Sequence, residues 1–202
     1  MSPSSPAGST SMLCWPRAFK LRASKVIFRF ILPSIRHAGA APYMAFGEMD
    51  GRLSRRAEEI ASRLGAAEGM RVEASQNIFA DMWKNFMRIA PWGGVGAVTR
   101  APIGIIRKIP ESRDMMVDAI REVFDVGKAN GVGIENEALA STIAFVEKLP
   151  PDGTASMQRD IMAGRPSELC WQTGAVLRFG RRRSVPHPPI LSSITVCFRS
   201  NE

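Results

Sequence analysis

The chain of 202 residues is poor in the residue types that build most metal and nucleophile sites. Its three cysteines, Cys14, Cys170 and Cys197, stand far apart with no CxxC pair, which argues against both a disulfide framework and a zinc site and fits a reducing compartment. His37 and His187 are the only histidines, and they are too isolated to suggest a metal centre or a Ser-His-Asp triad. The longest apolar run, VIFRFIL at 26–32, contains Arg29 and ends at Pro33, far short of the roughly 20 residues of a membrane helix, so no membrane partner is expected. Acidic residues are absent from Met1 to Gly47, where six Lys or Arg stand alone.

That imbalance accounts for much of the formal charge of +8. Five more arginines against one acid lie between Arg178 and Glu202, while Glu48 to Leu177 holds sixteen basic and eighteen acidic residues. The surplus is on the two ends and the centre is near neutral, so no specific nucleic-acid partner is expected and Arg181, Arg182 and Arg183 are read as a solvated run. Residues 1–34, rich in Ser, Pro and basic residues, have the composition of a disordered or leader-like extension. A cytoplasmic location is expected, with an organelle as the alternative raised by the acid-free N-terminus.

Organisation begins near residue 35. Two short extended pieces at 35–38 and 43–48, an amphipathic helix in LSRRAEEIASRLGAA with Ala57, Ile60, Ala61 and Leu64 on one face, and a strand in MRVEA make a fragment of an α/β layer over 35–74. From Ser75, a possible helix cap, the pattern is helical. Ile78, Met82, Phe86 and Ile89 form one stripe, PWGGVGAVTRAPIG is expected to interrupt the helix, and 111–130 and 135–148 carry further stripes, the first ending at Asn130-Gly131. A last helix is expected from Pro166 to about Phe179, for a total of five or six over 75–190, with 191–202 as a tail.

The stretch TASMQRDIMAGRPSEL, residues 154–169, places Ser156 and Glu168 on either side of a Gly-Arg-Pro break. Thr154 as an N-cap and Pro166 at the first position of a new helix would put both residues near helix beginnings, where they either cap or face an anion. Neither GVGAVT at 94–99 nor GVGIEN at 131–136 completes a GxGxxG fingerprint, and neither follows a strand.

Several segments in order resemble the ketopantoate reductase (2-dehydropantoate 2-reductase) family over roughly 35–190. They are HAGAAPYMAFGEMDGRLSRRAEEIASRL, DMWKNF, EVFDVGKANGV, TASMQRDIMAGRPSEL and TGAVLRFGRRRSVPHPP, with the SM-x-x-D-x-x-x-G-R-x-x-E block the specific part. The resemblance implies a mainly α fold: the family's all-helical C-terminal domain over 75–190, preceded at 35–74 by a small α/β remnant of its Rossmann domain. It also implies NADPH as cofactor, a small 2-keto acid as substrate, and a homodimer or pairing through the helical domain. By the same resemblance, Ser156 matches the serine that hydrogen-bonds substrate. Glu168 matches the glutamate that contacts the substrate's hydroxyl end and the catalytic lysine.

The match departs from the family at two places. The family's lysine, two positions after the tryptophan of W-x-K, is here Asn85, with Lys84 between; consecutive helix residues point about 100° apart, so Lys84 takes over only if the helix shifts register. Asn85 can donate a hydrogen bond but no proton, and the asparagine usual six positions after the tryptophan is Ile89. Second, the Gly-rich loop and first βαβ units are absent from these residues, which leaves the cofactor-binding residues unassigned. The expected function is NADPH-dependent reduction of 2-dehydropantoate, or a related 2-keto acid, to the 2-hydroxy acid, impaired here. The alternative is a non-catalytic truncated homologue acting as a dimerisation or substrate-binding module. The tail SSITVCFRSNE departs from the family's usual helical ending.

Overall fold

The computed structural model describes residues 43–66, 69–185 and 189–199. The extended piece expected at 35–38 and the extension 1–34 lie outside them. The described chain begins with β1 (Tyr43–Phe46), α1 (Arg55–Gly65) and β2 (Arg71–Ala74), the two strands parallel with Tyr43 opposite Arg71 and Phe46 opposite Ala74. Ser54 caps α1 by accepting from the Ala57 N–H at 3.1 Å, and its own hydroxyl donates to Glu48. Of the apolar face read for this helix only Ala57 is buried, and Ile60 is exposed.

Seven helices follow among the described residues, against the five or six expected: α2 (Ile78–Thr99), α3 (Ile103–Lys108), α4 (Pro110–Ala129), α5 (Glu137–Glu147), α6 (Ser156–Met162), α7 (Thr173–Arg182) and α8 (Pro189–Arg199). With the short β1–α1–β2 unit before them, the chain has the mainly helical fold expected. The central pair is α2 against α4. Trp83 is buried between them, its indole N–H donating to the Val123 carbonyl at 3.0 Å, with Phe86 and Phe179 edge-on to the ring at 5.4 and 5.5 Å. Gly127 on α4 leaves the notch; a Cβ there would run into the Trp83 ring and Ile134 Cδ1.

Several local expectations are corrected. Ser75 is not the cap of α2: Asn77 is, accepting from the Ala80 N–H at 3.1 Å, while Ser75 donates to Asp81. The core stripe of α2 is Ala80, Trp83, Met87, Ala90 and Gly94, and the stripe read from the sequence lies to one side of it, with Met82 and Ile89 exposed. PWGGVGAVT does not interrupt the helix. Pro91 and Gly93, Gly94 and Gly96 stay helical because α6, α7 and α8 press on them: a Cβ on Gly94 would meet Thr173 Cγ2 at 3.0 Å and Ile194 at 3.4 Å. The helix stops only at Arg100, a left-handed residue at φ 53° whose N–H returns to the Gly96 carbonyl.

Residues 191–199, read as part of a tail, belong to α8, whose Leu191, Ile194 and Thr195 are buried. Pro189 opens that helix, and the next two orphan N–H groups, of Ile190 and Leu191, are satisfied by the two oxygens of Glu122 on α4 at 2.7 and 3.0 Å. Burial raises the Glu122 carboxyl above its ordinary 4.5 despite those two hydrogen bonds, and Asp118 and Asp125 push in the same direction.

Two expectations follow. Gly127→Ala should displace Trp83 and cost about 1–3 kcal/mol by urea denaturation, the range for overpacking; an unchanged midpoint would mean that the notch is loose. A folded value above the unfolded one makes the contribution of Glu122 largest below pH 4.5 and removes it as pH rises through the raised value. The stability gap between wild type and Glu122→Gln should therefore narrow with rising pH, and a gap that widened would contradict the burial argument.

Candidate functional site

The side chains singled out by the SM-x-x-D-x-x-x-G-R-x-x-E block separate into two groups. Asp160 is structural: it pairs with Arg165 at 2.6 Å across the end of α6. There the Arg165 N–H reaches the Asp160 carbonyl and the Gly164 N–H reaches that of Ile161, with Gly164 at φ 64°, a Schellman closure that glycine makes cheap. Ser156 and Glu168 are exposed.

The expected caps are corrected here too. The N-cap of α6 is Ala155, not Thr154, and Ser156 is the first helical residue. The Ala155 N–H is held instead by Gln158, which sits three positions on as in half a capping box. Pro166 does not open a helix. Residues 168–172 form a turn in which the Trp171 and Gln172 N–H groups both return to the Glu168 carbonyl, and the Gly174 N–H returns to Leu169 five residues back. Regular helix starts only at Thr173, because Gln172 at φ −97° and ψ −89° is off the helical backbone. Neither Ser156 nor the Glu168 carboxylate caps a helix, and both are exposed to a further partner.

Gly93 is where the two segments meet. A Cβ there would lie 2.7 Å from Met157 Cε, next to Ser156 in sequence, and 3.2 Å from Gln172 Oε1, whose amide donates to Glu168 Oε2 at 2.6 Å. Four and eight residues earlier on the same helical row stand Ile89 and Asn85, both exposed. The row Asn85, Ile89, Gly93 thus runs roughly 12 Å along α2 to the point where the segments bearing Ser156 and Glu168 converge. Lys84 is turned off this row and held at 3.6 Å from Asp81. Sequence reasoning missed Gln158, Gly93 and Gln172; the spacing of Gln158 from the N-cap was a visible signal, and that of Gln172 from Glu168 was another.

The ketopantoate reductase PanE/ApbA C-terminal family matches residues 77–201. The chain belongs to the ketopantoate reductase family. A 2-dehydropantoate 2-reductase of Archaeoglobus fulgidus is 31% identical over 140 residues, 68% of this chain and 46% of the relative, and an uncharacterised oxidoreductase of Bacillus subtilis is 26% identical over 156 residues, 76% and 50%. The chain spans about half the length of these relatives. Among solved structures, a ketopantoate reductase family protein of Ralstonia eutropha superimposes with a TM-score of 0.70 at 22% identity, covering 82% of this chain and 53% of that one. A D-mandelate dehydrogenase solved with NADH and anilino(oxo)acetate gives 0.68 at 17%, covering 79% and 52%.

A dinucleotide does not fit the described residues. Its pyrophosphate needs bare glycine backbone at a helix N-terminus after a strand. After β1 the loop carries Glu48 and Asp50, Gly47 is packed on the Ser75 carbonyl, and the N-terminus of α1 is taken by Ser54. The glycines of α2 are filled by neighbouring side chains. No hydride step is assigned to these residues.

Gln158 ties this region to the core. It is 1% exposed, accepts from the Ala155 N–H at 3.3 Å and donates to the Ala101 carbonyl at 3.0 Å, and a Cβ on Gly96 would strike its Oε1. Gly96→Ala should therefore free the start of α6, lower stability by about 1–3 kcal/mol, and raise hydrogen exchange at Ala155–Gln158. Exchange that rose evenly over the whole chain instead would show that Gly96 has no local role there.

Proposed function

We propose that this chain is the 2-keto-acid-holding half of a ketopantoate-type reductase, with Ser156, Asn85 and Glu168 as the groups that contact substrate. The observation that carries this is the convergence at Gly93 of the Ser156 and Glu168 segments on the same α2 row as Asn85. The Ser156 hydroxyl and the Asn85 amide offer neutral donors to a carboxylate or a keto oxygen, and Glu168 offers an acceptor to a substrate hydroxyl. The relatives' name, 2-dehydropantoate 2-reductase, supplies the substrate class.

Reduction by NADPH is proposed for a reductase in which a dinucleotide fold stands beside this module, since the described residues do not form one. Proton delivery is the other limit. An amine at position 85 would stabilise the developing alkoxide and give up a proton to it, and an amide does only the first, weakly. Lys84 does not substitute while it is paired with Asp81 and turned about 100° away. On its own the chain binds the keto acid and leaves it unreduced.

Calorimetric titration with ketopantoate, and fluorescence titration with NADPH, test this. Ketopantoate should bind and weaken about tenfold in Ser156→Ala, a value set by the loss of one hydrogen bond to a charged group. Asn85→Lys should tighten it by a similar factor, and NADPH should not bind. Ketopantoate binding that is absent, or indifferent to Ser156, would sink the substrate-holding reading; micromolar NADPH binding would restore a self-sufficient reductase.

A further inference from the structure

The side chain of Gln172 is 8% exposed, wedged against the backbone of Gly93, yet its amide turns outward to grip an exposed carboxylate. The grip is short, 2.6 Å from Gln172 Nε2 to Glu168 Oε2. It has a cost, because Gln172 Oε1 is left buried with no hydrogen-bond partner among the described residues. Exchanging the two ends of the amide gives no relief: the oxygen would then face the carboxylate and the donor would be stranded in the core. An apolar side chain of the same length would fill this place without an orphaned acceptor.

The arrangement makes sense as support for Glu168 rather than as packing. Glu168 stands in a turn, not in a helix, and the turn fixes its backbone through the Trp171 and Gln172 N–H groups but leaves the carboxylate to rotate. Gln172 Nε2 donates to that carboxylate, and Gln172 is itself immobilised by burial. Because Gly93 contacts Met157 as well, the same point on α2 sets the Glu168 carboxylate and the start of α6 relative to each other.

We propose that Gln172 is a positioning residue: it holds the Glu168 carboxylate in one orientation for the hydroxyl end of a hydroxylated 2-keto acid, at the expense of an unsatisfied buried oxygen. The assignment rests on the substrate reading of Glu168 given above. It makes stability and binding move in opposite directions when Gln172 is replaced, which a packing role does not.

The test uses the whole chain with Gln172→Met, Glu168→Gln and the double variant. Gln172→Met should melt at the wild-type temperature or about 2–4 °C above it, since the orphaned oxygen is gone. It should bind ketopantoate about tenfold more weakly, the loss expected when a carboxylate loses its fixed orientation and its charged hydrogen bond. Added to Glu168→Gln, it should cause no further loss, because Gln172 acts through Glu168. Unchanged affinity in Gln172→Met, or a loss additive with that of Glu168→Gln, overturns the proposal. So does a lowered melting temperature in both Gln172→Met and Gln172→Leu, which would make Gln172 a packing residue. Should the wild type itself fail to bind ketopantoate, the substrate reading falls separately, and the three-bond couplings about Glu168 χ1 decide this one. A single rotamer in wild type that averages in Gln172→Met supports the hold on Glu168; the same couplings in both overturn it.

Discussion

The rest of the structure depends on the seating of Trp83 in the notch at Gly127. The indole is held from three directions, by the Val123 carbonyl at its N–H, by Phe86 and Phe179 at its edges, and by the bare backbone of α4 beneath it. A helix pinned at one residue is pinned in rotation at all of them. With Trp83 inward, position 84 is about 100° round the helix and position 85 about 200°, so the third residue of W-x-K is the one directed away from α4. The same constraint carries Lys84 toward Asp81, three residues back on its own side, and exposes Asn85 on the row that leads to Gly93. A shift of the amine by a single position therefore removes it from the row altogether.

The second half of α2 shows why glycine-rich sequence was misread. Glycine and proline ordinarily end helices, since one brings excess freedom and the other removes a hydrogen bond. Here the cost is offset by contact. Met157 and Gln172 approach at Gly93, Thr173 and Ile194 at Gly94, and Gln158 at Gly96, so three later segments of chain reach the α2 backbone where side chains would have kept them away. Nothing within residues 91–104 announces those contacts, because their partners lie some sixty to a hundred residues on. The periodic helices α4 and α5 were legible for the opposite reason: their apolar stripes and the Asn130-Gly131 stop are local, and the stop is a Schellman closure like that after α6.

The geometry of the candidate site was legible in part. Ser156 and Glu168 were reached through a motif whose residues are close in sequence, and geometry then separated them from Asp160, which closes a turn with Arg165. Their capping reading failed because helix starts moved: α6 begins one residue later than a Thr154 cap requires, and α7 begins seven residues after Pro166. A turn in place of a first helical turn leaves Glu168 without helix N–H groups to serve. The helix at the end of the chain was missed because its cap is remote, supplied by Glu122 from α4 rather than by its own leading residue.

Two buried glutamines then divide the labour around Gly93 and Gly96 in a way that the sequence alone does not rank. Gln158 has both ends of its amide engaged, by the Ala155 N–H and the Ala101 carbonyl, and its burial is satisfied within the fold. Gln172 has one end engaged, and that end faces outward. A fully satisfied buried amide adds order at little cost, whereas a half-satisfied one weakens the core that holds it. Two residues of the same type, each pressed on a glycine of the same helix, thus differ in what their amides engage. What separates them is where the donor end points: that of Gln158 stays on the Ala101 carbonyl within the fold, and that of Gln172 reaches the exposed Glu168 carboxylate.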